Sequence, residues 1–212
     1  MFVDTHIKYR PATIDEFIFP DDRLRELITG YTERGLTRPL ILYGSFGTGK
    51  SLLAELIPKA IDGDDVQVEK ISFDDLNSSK EVHRHFERPK QFDVLFTSND
   101  NLNYHIIEEM GFKERASGAL RIMLEKYERT DLVIMTTNRL EVIDGGIQSR
   151  AHCAEVKPLR PDQFIDRAMD ILRQEGRIAE PALVMKALEA RYRREPDNRA
   201  LYKVLDEMLI AA

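Results

Sequence analysis

The sequence predicts an α/β protein with a parallel five-stranded sheet, followed by a small all-helical domain. Three observations support this prediction. Short apolar runs alternate with amphipathic segments as far as residue 158, which is typical of a parallel sheet covered by helices on both faces. A glycine-rich turn follows the first apolar run. Beyond Pro158 the helical periodicity continues with no run that predicts a strand.

The N-terminal part predicts an extended segment, two helices and the first strand. Lys8-Tyr9-Arg10-Pro11 is extended because a residue before proline avoids the helical region. Asp21-Asp22 predicts the cap of a helix. Residues 39–43 are a short apolar run, as in a strand buried on both faces, and residues 51–60 predict a helix that is kinked at Pro58.

The remaining elements follow in alternation. Further strands are predicted at residues 66–72, 92–97, 132–136 and 153–156, with helices at residues 77–88 and 112–129 between them. Three more helices are predicted at residues 161–175, 181–194 and 198–210, and the first two begin at a proline. The change of pattern predicts two domains, an α/β domain of residues 1–158 and a helical domain of residues 159–212.

Composition excludes several classes of protein. The 212 residues hold 31 Lys and Arg against 37 Asp and Glu, a net charge of −6, which excludes a uniformly basic nucleic-acid coat but not a local basic stripe. A single cysteine, Cys153, excludes an intramolecular disulfide and a cysteine-based zinc site. Because neither a membrane-spanning run nor a secretory signal is visible, we expect a cytoplasmic protein with no membrane partner.

The glycine-rich turn contains a phosphate-binding pattern. Gly44-Ser45-Phe46-Gly47-Thr48-Gly49-Lys50-Ser51 matches G-x-x-x-x-G-K-[ST] and is followed by Leu52. The glycines let successive backbone N–H groups point at phosphate oxygens, while the lysine supplies a cation and the serine hydroxyl ligates Mg²⁺. A strand leads in and a helix leads out, so the helix dipole also favours an anion. This predicts binding of ATP or ADP, with Mg²⁺.

With this loop in place, the chain resembles the AAA+ ATPases, and among them the ATPase subunits of sliding-clamp loaders of the replication factor C type and their bacteriophage relatives. Four further segments carry the resemblance: Lys8-Tyr9-Arg10-Pro11, Thr136-Thr137-Asn138, Gln148-Ser149-Arg150 and Pro196-Asp197-Asn198-Arg199. The resemblance covers nearly the whole chain as the two-domain module. We therefore expect the chain to lack the collar domain of clamp loaders.

The resemblance implies a role for each of these segments. The first, with Tyr9, Arg10 and Pro11, is expected to pack near the adenine. Asn138 is then sensor 1, which contacts the γ-phosphate or the attacking water. Arg150 is then an arginine finger, which acts in trans on nucleotide held by a neighbouring subunit. Arg199 is then sensor 2, which reaches the phosphates from the helical domain.

The predicted third strand departs from the family pattern. A clamp loader has an Asp-Glu pair there, whose carboxylates hold Mg²⁺ and polarise the attacking water. With the strand at residues 92–97, Thr97 and Ser98 stand in those positions, and hydroxyls are poor proton acceptors near neutral pH. Asp100 matches a later acidic position of the pattern. We therefore expect ATP binding with slow or absent hydrolysis in the chain's own site.

The partners implied are other AAA+ subunits, in a homo- or hetero-oligomer joined through the nucleotide, and beyond them duplex DNA and a sliding clamp or other DNA-bound protein. Lys80, Arg84 and Arg88 recur every four residues and share one helix face, which suits a DNA backbone as well as an ordinary solvated surface. Two alternatives remain open: an inert scaffold that assembles with ATP, and a free-standing regulator that forms filaments on DNA.

Overall fold

The computed structural model describes residues 4–93, 102–111 and 114–211. The strands among these residues are β1 (Leu40–Tyr43), β2 (Val68–Ser72), β3 (Asn103–Glu108), β4 (Asp131–Thr137) and β5 (His152–Glu155). They form a five-stranded sheet in the order β2-β3-β4-β1-β5, and every pairing is parallel. The predicted α/β class, with its parallel five-stranded sheet and C-terminal helices, is confirmed.

Nine α-helices occur in the described residues. They are α1 (Thr5–Lys8), α2 (Asp22–Arg34), α3 (Lys50–Asp62), α4 (Ser79–Asp93), α5 (Glu114–Lys126), α6 (Gly145–Gln148), α7 (Pro161–Gln174), α8 (Pro181–Tyr192) and α9 (Asn198–Ile210). Within the described ranges, no helix has the length and apolar character needed to cross a bilayer.

Helices cover both faces of the sheet. Leu42 and Ile106 point to one face, where they pack with residues of α2 and α3, and Ile107 and Met135 point to the other, where they pack with residues of α4 and α5. The alternation of side chains along each strand produces this division. Near-continuous burial of β4 fits a strand covered on both faces.

Local sequence explains where the first helices begin and end. The side chain of Asp21 accepts a hydrogen bond from Leu24 N at 2.9 Å and caps α2, as the sequence predicts. That helix ends at Gly35, which adopts a left-handed conformation with φ of 69°. The next helix, α3, runs through Pro58 and ends at Asp62, two residues beyond the predicted end.

The three C-terminal helices form a lid with its own apolar cluster, centred on Phe164, Leu188 and Leu201. Tyr9 and Ile18 of the N-terminal segment pack against that cluster. Residues that the sequence assigns to the first domain therefore contact the helical lid α7–α9. The division into domains at residues 158 and 159 stays a prediction.

The predicted third strand is wrong. Phe92 and Asp93, its first two residues, lie in α4, and the strand between β2 and β4 is Asn103–Glu108. A short apolar run such as Val94-Leu95-Phe96 does not by itself distinguish a strand from other structure. The true strand was overlooked because polar residues interrupt its apolar pattern.

A buried histidine explains that interruption. His105 is fully buried in β3, with Nε2 3.0 Å from Asp131 Oδ1 and Nδ1 3.2 Å from Glu69 Oε2. Its ring also stacks on Phe86 of α4 at 4.7 Å between centroids. Partners on β2 and β4 thus let a polar side chain occupy the middle of the sheet, since a buried charge needs paired groups around it.

We predict that His105 titrates above the ordinary value of 6.5. Burial lowers the pKa of His105, but its contacts with Asp131 and Glu69 outweigh that effect and raise the pKa. Protonated His105 therefore stabilises the folded state. This stabilisation is fully present below about pH 6.5 and is lost as pH rises through the folded pKa. An NMR titration of the ring measures this pKa directly, and Asp131→Asn should lower it. A wild-type pKa below 6.5 would contradict the prediction.

Candidate active site

A cleft of about 670 Å³ opens beyond the carboxyl ends of β1, β3 and β4, beneath the helical lid. Ligand sites of open parallel sheets lie at this edge. Polar side chains from six segments converge on the cleft. They include Arg10, Lys50, Ser51, Glu109, Asn138, Arg167 and Arg199.

The loop between β1 and α3 has the backbone that phosphate binding requires. Gly44, Gly47 and Gly49 have φ angles of 137°, 72° and 97°, which residues with side chains rarely adopt. A Cβ added to Gly44 would lie 2.6 Å from the carbonyl oxygen of Val156, so the loop also needs glycine there for space. Residues 46–52 line the cleft. The loop predicted from the sequence therefore forms one wall of the cleft.

Lys50 is buried and folded back onto the loop. Its Nζ donates to Gly44 O at 2.9 Å and to Ser45 O at 2.6 Å. Burial lowers the pKa of Lys50, and the neighbouring cation of Arg199 adds to the effect. A phosphate anion between the two cations would favour the charged lysine, because an opposite charge at close range stabilises the protonated form.

Glu109 enters the cleft from the end of β3. Met110 N donates to Thr136 O at 2.8 Å, and Thr137 Oγ1 donates to Met110 O at 2.8 Å. These bonds tie the end of β3 to the end of β4, which carries Asn138. Glu109 has a φ of 55°, a conformation that is uncommon for a residue other than glycine and is often found at functional sites. The cleft therefore has a carboxylate and an amide on adjacent strand ends.

The donor set also fits a magnesium ion. Glu108 alternates onto the sheet face of Ile106, where α3 packs, and Ser51 lies in the first turn of α3. Mg²⁺ prefers oxygen ligands and is commonly held by one or two carboxylates together with phosphates. In the described part of the chain, no group of three or more His, Cys, Asp or Glu side chains would hold a metal unaided.

The lid contributes Arg199 from the first turn of α9. Asp197 caps this helix by accepting from Ala200 N at 2.8 Å. The cap fixes the start of the helix, so Arg199 projects over the phosphate loop and lines the cleft. The positions predicted for Asn138 and Arg199 are thus brought to one cavity with Lys50.

Two of the three residues predicted near the adenine line the cleft. Arg10 and Pro11 belong to the lining, and Arg10 forms an ion pair with Glu55 of α3. Tyr9 lies behind them. Its hydroxyl donates to Glu175 Oε1 at 2.6 Å, and its carbonyl accepts from Arg167 Nη2 at 2.7 Å.

Arg150 lies outside this cleft. Its Nη1 donates to Gly146 O at 2.9 Å, and its Nη2 lies 3.2 Å from Glu125 Oε2. It borders a second cleft of about 550 Å³ between α4 and α5. The role of Arg150 in trans stays a prediction.

The remaining predicted residues belong to the third-strand segment and to the basic stripe on α4. Thr97, Ser98 and Asp100 lie outside the described residues, as does the side chain of Arg88. Lys80 and Arg84 are exposed on α4. Whether these cations contact DNA stays a prediction.

Sequence reasoning missed three residues that line the cleft, Glu109, Arg167 and Asn198, and also Glu108, which precedes Glu109. Glu108 and Glu109 follow Ile106-Ile107, and this apolar pair with two acidic residues behind it was the available signal. Asn198 stands in the segment quoted for Arg199 but was given no role, and Arg167 gave no signal, because each acts through contacts between segments more than a hundred residues apart. Asn198 contacts Thr48, and Arg167 contacts Tyr9 and Glu16.

Comparison with known proteins agrees with this geometry. The model of the ATPase family associated with various cellular activities (AAA) matches residues 40–159. The replication factor C small subunit of Archaeoglobus fulgidus is 29% identical over 173 residues, covering 80% of this chain and 53% of the relative. The corresponding subunit of Methanococcus maripaludis is 30% identical over 173 residues, covering 80% and 54%. The chain thus spans about half the length of these relatives.

Solved structures show the same fold. A replication initiator DnaA bound to AMPPCP and single-stranded DNA superposes with a TM-score of 0.66 at 18% identity. The superposition covers 92% of this chain and 64% of that one. At this identity the likeness concerns the fold alone.

Proposed function

The chain belongs to the AAA family of ATPases, and on that premise we propose that it binds ATP with Mg²⁺ and hydrolyses it in the cleft. One observation carries the proposal: Lys50 of the phosphate loop, Glu109 after β3, Asn138 after β4 and Arg199 of the lid all line one cavity. Phosphoryl transfer needs a phosphate cradle, a group that activates water and cations for the developing charge. These four residues supply those groups.

Each residue has a defined role in this proposal. The loop N–H groups and Lys50 bind the β- and γ-phosphates. Glu109 accepts a proton from the attacking water, and Asn138 orients that water by hydrogen bonding. Arg199 stabilises charge on the transferred phosphoryl group. Ser51 and Glu108 would hold Mg²⁺, which neutralises charge on the phosphate oxygens when bound.

The expectation of slow or absent ATP hydrolysis is no longer supported. It depended on a third strand at residues 92–97 with hydroxyls in place of carboxylates, and that strand placement is wrong. Two carboxylates follow Ile107 at the end of the observed strand. We therefore propose an active ATPase rather than an inert scaffold.

We predict that Glu109→Gln lowers ATP turnover by about 100-fold or more while ATP binding persists, because loss of a general base has effects of this size. Steady-state phosphate release and equilibrium binding of a fluorescent ATP analogue measure the two properties. Glu189→Gln, an exposed carboxylate that pairs with Arg193 on the lid, is the matched control. Turnover of Glu109→Gln equal to that of the wild type would exclude Glu109 as the base.

We further propose that the chain assembles with other AAA+ subunits through the bound nucleotide, with Arg150 directed at the neighbour's γ-phosphate. Hydrogen bonds hold the backbone of the segment that carries Arg150. Arg38 donates to Ser149 O at 2.7 Å and to Arg150 O at 3.1 Å, which fixes the backbone that carries the guanidinium. The Arg150 side chain itself is about two-fifths exposed and accessible to a partner.

Mixing two inactive variants tests this role in trans. Lys50→Ala lacks a working phosphate site but keeps the finger, and Arg150→Ala has the opposite defect. In an equimolar mixture about a quarter of the interfaces combine an intact site with an intact finger, so activity should recover to that fraction of the wild type. Phosphate release from the mixture is the measurement. Two variants that co-assemble without any recovery would show that Arg150 does not act across the interface.

Duplex DNA and a DNA-bound protein such as a sliding clamp are the proposed partners of this assembly. The nearest support in the chain is the exposed pair Lys80 and Arg84, which lie one helical turn apart on α4. Repetition of this pair around an oligomer would give a basic track despite the acidic total of the chain.

We predict that Lys80→Glu with Arg84→Glu weakens binding to duplex DNA. The slope of log affinity against log salt should also fall by about one for each phosphate contact that is lost. Fluorescence anisotropy in the presence of ATP measures both quantities. The lid variant Arg177→Glu with Lys186→Glu is the charge-matched control. Equal losses in the two double variants would point to net charge instead of this surface.

A further inference from the structure

The side chain of Asn198 joins three segments that meet at the phosphate loop. Its Nδ2 donates to Thr48 O at 3.0 Å, and its Oδ1 accepts from Leu159 N at 2.8 Å. Its backbone N donates to Gly47 O at 3.3 Å. Because one partner is a carbonyl and the other an N–H group, the orientation of the amide is defined by its partners.

Both bonds to the loop are accepted by carbonyl oxygens, on the side of each peptide group opposite to the N–H that would bind phosphate. In a planar trans peptide, the carbonyl and the N–H of the next residue point in opposite directions. Holding Gly47 O therefore fixes the direction of the Thr48 N–H, and holding Thr48 O fixes that of the Gly49 N–H. Both residues line the cleft.

We propose that Asn198 is a positioning residue: a lid-borne amide that aims two phosphate-binding N–H groups of the loop. Among the hydrogen bonds of the described residues, those that join the lid to the phosphate loop belong to Asn198. The next residue, Arg199, faces the same phosphates. The lid thus contributes to phosphate affinity through the shape of the loop as well as through a cation.

The same contacts couple the lid to the loop mechanically. Leu159 belongs to the segment that connects β5 to α7, so its bond to Asn198 links the start of the lid to the start of α9. Gly47 is also close to the cap of α9, because a Cβ on Gly47 would lie 2.9 Å from Asp197 Oδ1. A displacement of α9 relative to the sheet would break the bonds that orient the loop.

Two substitutions separate the bonds that Asn198 makes. Asn198→Leu keeps a similar volume and removes both side-chain bonds. Asn198→Asp keeps an acceptor for Leu159 N but places an oxygen opposite Thr48 O, where two acceptors repel. We expect the dissociation constants for ATP and ADP to rise about five- to tenfold in both variants, the size expected for a lost hydrogen bond to a loop that must be ordered.

Gln163 provides a matched control. Its Nε2 donates to Pro20 O at 2.9 Å and its Oε1 accepts from Arg160 N at 3.0 Å, so it is also a lid amide that joins the lid to the first part of the chain. It does not line the cleft. Gln163→Leu should bind ATP and ADP within twofold of the wild type, at a similar cost in thermal stability.

The experiment combines calorimetric binding of ATP and ADP, steady-state turnover, and ¹⁵N NMR of the loop amides. A positioning role predicts weaker binding of both nucleotides and shifted Thr48 and Gly49 amide resonances. The kcat at saturating ATP should change less than the affinity, because Glu109 and Asn138 directly follow strands of the sheet and are not held by Asn198. If Asn198→Leu does not fold, the nearly isosteric Asn198→Asp decides the question by the same readouts.

The outcomes distinguish this inference from the proposed function on which it rests. Nucleotide binding within twofold of the wild type in the Asn198 variants would overturn the inference and leave the ATPase proposal intact. Equal losses in Gln163→Leu would overturn it as well, because the effect would then come from the stability of the lid. A wild-type chain that binds no nucleotide would overturn both the inference about Asn198 and the ATPase proposal.

Discussion

The parallel pairing of β3, β4 and β1 is the constraint on which the candidate site depends. Parallel strands end at the same edge of a sheet, so parallel pairing alone brings together the segments that follow them. The phosphate loop follows β1, Asn138 follows β4 and Glu109 follows β3. The register also places the strand ends near the same level, because Tyr43 pairs with Thr137 and Ile107 pairs with Met135. Chemistry that is scattered over almost a hundred residues is thus collected at one edge.

The lid completes the cleft from the opposite side. Hydrogen bonds from three lid side chains help to hold it there: Asn198 to the phosphate loop, Gln163 to Pro20, and Arg167 to the carbonyls of Tyr9 and Glu16. The N-terminal segment is bound to the lid by the last of these and by Thr5, whose N donates to Asp206 Oδ1 at 2.9 Å. The segment expected near the adenine is therefore hydrogen-bonded to the lid, while Arg10 pairs with Glu55 of α3 and so also joins it to the sheet domain.

Sequence reasoning predicted the elements that have one strong local signal. Asp21 caps α2, the glycine pattern marks the loop before Lys50, and prolines mark the starts of α7 and α8. It placed the third strand wrongly, because Val94-Leu95-Phe96 is more apolar than the observed strand. Burial of His105 in that strand depends on Asp131 and Glu69, which lie on neighbouring strands. Such partners are remote in sequence, so the charge compensation that permits the strand is invisible until the sheet is formed.

The corrected position of the third strand changes the conclusion about ATP hydrolysis. With hydroxyls at the end of the third strand, the chain reads as a nucleotide-binding subunit without a base; with Glu108 and Glu109 there, it has the groups for hydrolysis. A crystal structure with ADP, Mg²⁺ and beryllium fluoride tests this point most directly. Our account predicts the Glu109 carboxylate within hydrogen-bonding distance of a water in line with the fluoride, and Lys50 and Arg199 on the fluoride itself. Thr97 and Ser98 facing the nucleotide in place of Glu109 would contradict it.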